Sequence, residues 1–222
     1  MMYTLPQSTP YWGILIELGL QPLEYVIHYK RLMLYHNIIN SSNTRIAKKI
    51  VEQQKETNMA NCMYSEIVKS AEKVGIWIDG LDMKKIKKST WKRTVKSKIE
   101  SHIEDEKRDK ATIMEKLRFL RGKTNERQRY TTECEVAKVS EIMKLRLNMV
   151  KLKCNYGKKR NCKICEKEEE STEHVISCQQ IADRVKEPVP HKIEDATDVT
   201  EWIKITEYME KARQVIEEAD GI

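Results

Sequence analysis

Three cysteines and one histidine near the end of the chain have the types and spacing of a metal site. Cys162, Cys165, His174 and Cys178 form the pattern C-x2-C-x8-H-x3-C. Two thiolates separated by two residues can face one ion from a tight turn, and the histidine and the last cysteine lie one helical turn apart. Because four protein ligands leave no open coordination position, the pattern predicts one structural Zn²⁺ rather than a catalytic metal.

The alternative interpretation is that these residues are ordinary thiols among the six cysteines of the chain. A disulfide between Cys162 and Cys165 is disfavoured, because the first residues lack the basic and apolar segments of a secretory signal. No stretch approaches the roughly 18 apolar residues that a membrane span requires. We therefore expect an intracellular protein, nuclear or cytoplasmic, with no membrane partner. Cys154 is the one substitute ligand near the pattern.

Basic residues are concentrated in two stretches, although the formal charge of the whole chain is only +7. Residues 83–98 and residues 142–165 each contain eight lysines or arginines and no acid. Such blocks are typical of proteins that bind the phosphate backbone of RNA or DNA, and a solvated helix face is the alternative. The predicted nucleic-acid contacts are Lys84, Lys85, Lys87, Lys88, Lys92 and Arg93 in the first block, and Lys144, Arg146, Lys151, Lys153, Lys158, Lys159 and Arg160 in the second.

Composition and periodicity predict an all-α protein with several small helical units and a short zinc-stabilised element. Seven glycines and five prolines are few, and only 6% of the residues are aromatic. Apolar residues recur at the helical period in five main stretches. These stripes are Leu23, Ile27, Leu34 and Ile38; Ile46, Ala47, Ile50 and Val51; Trp91, Val95, Ile99 and Ile103; Val139, Ile142, Leu145, Met149 and Leu152; and Trp202, Ile205, Met209, Ala212 and Ile216. We expect Trp91 to be a core residue rather than a platform for stacking bases.

Several segments resemble the region that follows the catalytic core in reverse transcriptases of LINE-like, non-LTR retrotransposons. They are LPQSTPYWGILIE at 5–17, YKRLMLYH at 29–36, KLRLNM at 144–149, and TEHVISC at 172–178 after the paired cysteines. The order of thumb-like helices, arginine-bearing helix and CCHC element is similar to that of such polyproteins. The resemblance implies that the helical segments grip template and duplex, that the zinc element binds RNA or the DNA target, and that the missing reverse transcriptase core is a partner.

This resemblance implies five segments along the chain. Residues 1–55 would form a thumb-like helical segment, 56–130 a basic helical connector, and 131–182 a basic helix with the CCHC element. Residues 183–197 would form a linker and 198–222 an amphipathic C-terminal helix. In the first segment, the basic and aromatic side chains Tyr29, Lys30, Arg31, Tyr35 and His36 have the character of a nucleic-acid surface, and some of them must also pack against the core.

The sequence predicts no polymerase or endonuclease activity. Polymerisation requires adjacent aspartates that hold two Mg²⁺ ions, and no Asp-Asp pair occurs in the chain. The 44 residues after Cys178 are too few for a strand-rich endonuclease. We therefore expect a non-catalytic fragment that binds RNA or DNA. The alternative is a protein-interaction module that docks through the amphipathic helices around Val139 and Trp202.

Overall fold

The computed structural model of the chain describes residues 5–122, 127–152, 160–188, 190, 193, 196 and 198–219. Within these ranges the regular secondary structure is helical, apart from one isolated β-bridge between Asn161 and Glu169. The all-α prediction is confirmed. The helices are α1 (Tyr11–Glu17), α2 (Leu23–Ile39), α3 (Ile46–Glu56), α4 (Met63–Lys73), α5 (Lys88–Ile113), a 3-10 helix (Glu115–Leu120), α6 (Tyr130–Glu133), α7 (Val136–Arg146), α8 (Thr172–Ser177), α9 (Gln179–Val185) and α10 (Val199–Ala219).

The chain forms two compact units. Residues 21–106 make up one, which we call the inserted unit, and residues 1–20 together with 107–222 make up the other, the terminal unit. Helix α5 contributes residues to both, because the division falls within it. The metal-ligand pattern and the second basic block belong to the terminal unit, whereas the first basic block belongs to the inserted unit. The five segments expected from the sequence remain a prediction.

The core of the inserted unit is built on the stripe predicted for α5. Trp91, Val95, Ile99 and Ile103 are all buried there, together with side chains of α2 and α4. The Trp91 indole donates a hydrogen bond to the carbonyl oxygen of Leu32 at 3.0 Å, which satisfies its polar atom inside the core. The expectation that Trp91 is a core residue is confirmed.

The stripe predicted for α2 is wrong for three of its four members. Leu23, Ile27 and Leu34 are exposed, and only Ile38 is buried. The buried positions of this helix are Tyr25, Leu32, Tyr35, His36 and Ile38. Counting aliphatic residues missed this face, because the large rings of Tyr25 and Tyr35 contribute most of its buried aromatic surface. The stripe predicted for α3 is also partly wrong, since Val51 is buried but Ile46 and Ile50 are exposed.

The core of the terminal unit is formed by the stripes of α7 and α10, as predicted. Every member of both stripes is buried. Asp198 accepts a hydrogen bond from the backbone N–H of Glu201 at 2.8 Å, so it caps α10 as its residue type favours. Helix α7 ends at Arg146, earlier than its stripe implied. Asn148 ends it with a left-handed backbone, φ 51°, and Met149 and Leu152 are buried beyond the helix.

Helix α1 packs closely within the terminal unit. A Cβ atom on Gly13 would lie 2.5 Å from a side-chain carbon of Leu147 and 2.9 Å from one of Leu117, so the approach requires glycine. This contact places Glu17, at the end of α1, in the buried interior.

Candidate functional site

The four predicted metal ligands converge in the terminal unit. The ligand atoms of Cys162, Cys165, His174 and Cys178 all lie within 4.8 Å of one another. For comparison, a tetrahedron of sulfur and nitrogen atoms around a metal at about 2.3 Å has edges of about 3.8 Å. Three of the four residues are buried, and Cys165 is partly exposed. The Cys/His cluster predicted from the spacing is therefore confirmed, and its donor atoms fit a single metal ion.

A short hairpin presents the first two cysteines. The backbone N–H of Cys162 donates to the carbonyl oxygen of Glu168 at 2.7 Å, and the N–H of Glu166 donates to that of Cys162 at 2.8 Å. Glu166 has φ 61°, so the chain reverses direction there at a non-glycine residue. The bridge between Asn161 and Glu169 closes the hairpin. Both sulfurs are thereby held on one turn, as the two-residue spacing predicted.

Helix α8 supplies the other two ligands. Its N-cap, Ser171, accepts a hydrogen bond from the backbone N–H of His174 at 3.1 Å. Cys178 follows the last residue of α8 and is also the N-cap of α9, whose Ile181 and Ala182 donate to its carbonyl oxygen. His174 and Cys178 are thus one turn apart on a capped helix. The prediction from the three-residue spacing is correct here as well.

Glu168 orients the histidine ligand. Its carboxylate lies 3.1 Å from Nδ1 of His174, while Nε2 of the same ring lies 3.2 Å from Sγ of Cys165. A carboxylate beside Nδ1 keeps the proton on that nitrogen and leaves the Nε2 lone pair for a metal ion. Sequence reasoning missed Glu168, because it is one of four glutamates between residues 166 and 170. Its position opposite Cys162 in the hairpin distinguishes it.

The cysteine sulfurs of the site differ in acidity. Burial opposes ionisation of Cys165, but hydrogen bonds from the backbone N–H groups of Lys167 and Glu168 outweigh it and lower its pKa to about 7. Burial raises the pKa of Cys178 to about 11, and the neighbouring sulfurs of Cys162 and Cys165 add to the increase. Since a metal ion binds thiolates, a bound cation would stabilise the ionised form of each sulfur.

The prediction that Arg146 contacts nucleic acid is wrong. Its side chain is only 1% exposed, and its Nε donates to Oε1 of Glu17 at 2.7 Å. The guanidinium also lies over the ring of Trp202, 4.7 Å from the ring centroid, and the Tyr130 hydroxyl donates to the same carboxylate at 2.6 Å. A buried arginine that already pairs with a carboxylate cannot reach a phosphate. Arg146 is a structural residue of the terminal unit.

Two further cations of the second block pair with carboxylates. Lys144 lies 2.7 Å from Glu141, and Arg160 lies 2.7 Å from Glu170, whose side chain is buried. Lys151 is exposed. Lys153, Lys158 and Lys159 lie outside the described residues, as does Cys154. Among the described predicted contacts of the second block, Arg146 and Arg160 therefore join separate segments of the terminal unit, Lys144 pairs within its own helix, and Lys151 remains exposed.

The first block has the opposite character. All six of its predicted contact residues are exposed. Lys88, Lys92 and Arg93 lie on α5, which buries Trp91, Val95 and Ile99 and turns these three cations to solvent, and Lys84, Lys85 and Lys87 lie in the segment before it. Among the described residues, Lys85 alone of the six pairs with a carboxylate, that of Asp82 at 3.2 Å. We call these six residues the basic surface. They are Lys84, Lys85, Lys87, Lys88, Lys92 and Arg93.

A groove of about 370 Å³ adjoins the basic surface within the inserted unit. It is lined by Tyr25 and Tyr29 from α2 and by Lys92 and Lys96 from α5. Of the basic and aromatic residues expected on α2, Tyr29 thus lies beside the lysines. Tyr35 and His36 are buried, and His36 contacts the carbonyl oxygen of Ile86 at 2.8 Å, so these two are among the residues that pack against the core.

The surfaces proposed for protein docking are already covered. Val139 and Trp202 are buried in one core cluster of the terminal unit, where α7 and α10 pack together. An interaction module of the kind expected from these two helices would need their apolar faces exposed. The structure therefore leaves the side chains of Val139 and Trp202 unavailable to a partner, and docking by this chain remains a hypothesis.

Within the part of the chain that the structure describes, no helix combines the length and the apolar character needed to cross a membrane. Compared with models of protein families, with curated proteins and with solved structures, the chain has no match. The resemblance to retrotransposon reverse transcriptases therefore depends on the sequence segments alone, and the functional interpretation of the site depends on its own geometry.

Proposed function

We propose that this chain is a non-catalytic protein that binds the backbone of RNA or DNA through the basic surface of its inserted unit. The observation that supports this proposal is the exposure of six neighbouring cations, five of which have no carboxylate partner among the described residues. Unpaired surface cations retain counterions and attract phosphates, and the release of those counterions drives binding. The expected origin, a region after a retrotransposon reverse transcriptase core, is part of the same proposal.

The terminal unit has a structural role in this proposal, through one Zn²⁺ ion. Three thiolates and one imidazole are the donor set of structural zinc sites, and softer sulfur ligands disfavour Mg²⁺ or Ca²⁺. With four protein ligands no position is left for a reacting water, so the metal would stabilise rather than catalyse. Cys162 and Cys178 belong to the same core cluster as α7 and α10, which would couple the ion to the folding of that unit.

The test is fluorescence anisotropy with a labelled oligonucleotide over a series of salt concentrations. If about four cations of the basic surface contact phosphates, log K should fall with log salt at a slope of about −3 to −4. The variant K88E/K92E should bind at least about tenfold more weakly at about 50 mM salt and flatten the slope by about 2. Phosphate contacts do not read bases, so every sequence should be affected alike.

The matched control is K49E/K204E. It changes the net charge equally at two exposed lysines outside both basic blocks. This control should bind the oligonucleotide nearly as the unmodified chain does, because Lys49 and Lys204 are not part of the basic surface. If the unmodified chain fails to bind at low salt, or if K88E/K92E binds like the control, the proposed function is wrong.

A further inference from the structure

One tryptophan of the inserted unit has an unusual environment. Trp77 is 78% exposed, more than any other large apolar side chain that the structure describes. Its two chain neighbours, Ile76 and Ile78, are buried in the core of the same unit. A large aromatic ring left in water between two anchored isoleucines forgoes the stabilisation that burial would give it. The ring of Trp77 is therefore available to a ligand.

The backbone around Trp77 is held on both sides. The N–H of Ile76 donates to the carbonyl oxygen of Ala71 at 2.9 Å, immediately after Gly75 ends α4 with φ 68°. Beyond Trp77, the carboxylate of Asp79 accepts a hydrogen bond from the Tyr64 hydroxyl. The indole is therefore presented by a fixed backbone, which lowers the entropy lost when a ligand binds.

The same segment carries the first part of the basic surface. Met83 and Ile86 attach it to α2, because their carbonyl oxygens contact Asn40 at 3.2 Å and His36 at 2.8 Å. Lys84 and Lys85, between these attachments, and Lys87, directly after them, are exposed. Lys84 lies seven positions after Trp77, so their Cα atoms are at most about 25 Å apart even for an extended chain. An oligonucleotide of about ten nucleotides can therefore reach both.

We propose that Trp77 stacks on an unpaired base while the basic surface binds the adjoining phosphates, so that the chain prefers single-stranded nucleic acid. This inference deepens the proposed function and rests on it. An indole presents a flat π-surface to any base, whereas the faces of bases within a duplex are already covered by their neighbours. Phosphate contacts alone bind both forms, and an exposed ring beside them adds affinity only for the unpaired strand. Single-stranded RNA and single-stranded DNA both offer unpaired bases and phosphates, so the proposal applies to both.

The experiment compares single strands and duplexes of the same sequence, as RNA and as DNA, with three versions of the full chain. The variant W77L keeps an apolar side chain but removes the π-surface, and W77Y retains an aromatic ring. We expect W77L to bind single strands about 5- to 100-fold more weakly and duplexes within about twofold of the unmodified chain. W77Y should recover most of the single-strand affinity. L23A is the matched control, because Leu23 is a similarly exposed apolar residue of the same unit without an aromatic ring.

Tryptophan fluorescence provides an independent readout. Of the four tryptophans, Trp91 and Trp202 are buried and Trp12 is partly buried, so quenching by a single strand should come mainly from Trp77 and should be lost in W77L. If W77L binds single strands as the unmodified chain does, while K88E/K92E binds weakly, the stacking proposal is wrong and the proposed function stands. If the unmodified chain binds neither form, both are wrong.

Discussion

The two basic blocks contain the same number of cations, but the structure gives the described ones different surroundings. Each contains eight cations and no acid within its own stretch. In the second block, Arg146, Lys144 and Arg160 pair with carboxylates from other parts of the terminal unit or from the same helix. In the first block, the cations of the basic surface remain exposed, and Lys85 alone has a carboxylate partner among the described residues. Local charge density therefore identifies candidates, and the folded neighbourhood determines which cations remain available to a ligand.

The largest expected difference between the two units is their dependence on metal. Removing zinc with a chelator, or substituting C162S, should unfold the terminal unit around residues 160–185, because metal sites of this type contribute of order 10 kcal/mol to folding. The inserted unit contains none of the four ligands and should remain folded. Hydrogen exchange measured by mass spectrometry reports the unfolding of each unit separately.

The control for metal removal is C134S, which changes a cysteine of the terminal unit outside the cluster. It should retain both zinc and protection from exchange. A chelated protein with the exchange pattern of the metal-bound form would contradict a structural metal site.

The next largest expected effect is the difference in stability between substituting a buried cation and substituting an exposed one. Arg146→Met leaves the Glu17 carboxylate buried without its partner, which should lower the free energy of unfolding by about 3–5 kcal/mol. Lys88→Met, at an exposed position, should change it by less than about 0.5 kcal/mol. Urea denaturation measures both changes.

Nucleic-acid binding should show the reverse order for these two variants. Lys88→Met should weaken binding, whereas Arg146→Met, measured under conditions where it remains folded, should bind like the unmodified chain. If Arg146→Met weakened binding without affecting stability, the distinction between the two blocks would be wrong.

The smallest expected effect is the pH dependence of the metal site. At about pH 8, Cys165 is mostly ionised, since its pKa is about 7, whereas Cys178, with a pKa of about 11, is still protonated. Metal binding at that pH should therefore release at least one proton. For each proton released on binding, the metal affinity should fall about tenfold when the pH is lowered by one unit. Below pH 7 Cys165 must also lose a proton, so the decrease should become steeper.

Competition with a chromophoric chelator between about pH 6 and pH 9 measures this dependence. Nucleic-acid binding by the basic surface serves as the control and should change little over the same range. A metal affinity independent of pH would show that the thiols of Cys165 and Cys178 are not both ligands.

Elements with a strong local pattern were predictable. The stripes of α5 and α10 and the helical part of the α7 stripe are buried as expected, because residues three or four apart on a helix share a face. The face of α2 was not predictable in this way. Its aliphatic residues and its tyrosines lie on different faces, and which face is buried depends on what α4 and α5 present to it. Trp77 lies in none of the predicted stripes, so the exposure of its side chain was known only from the structure.

The sequence by itself predicted the cluster of Cys162, Cys165, His174 and Cys178, since all four fall within one short segment and have the spacing of ligands to one ion. It also determined the helical class and the location of the basic blocks. Only the tertiary structure decided which cations are available. Arg146 meets Glu17, a residue 129 positions away, and Glu168 meets His174 only because the hairpin folds back. Neither pair leaves a periodic signal in the sequence, because each forms only when the segments that carry its two residues fold against each other.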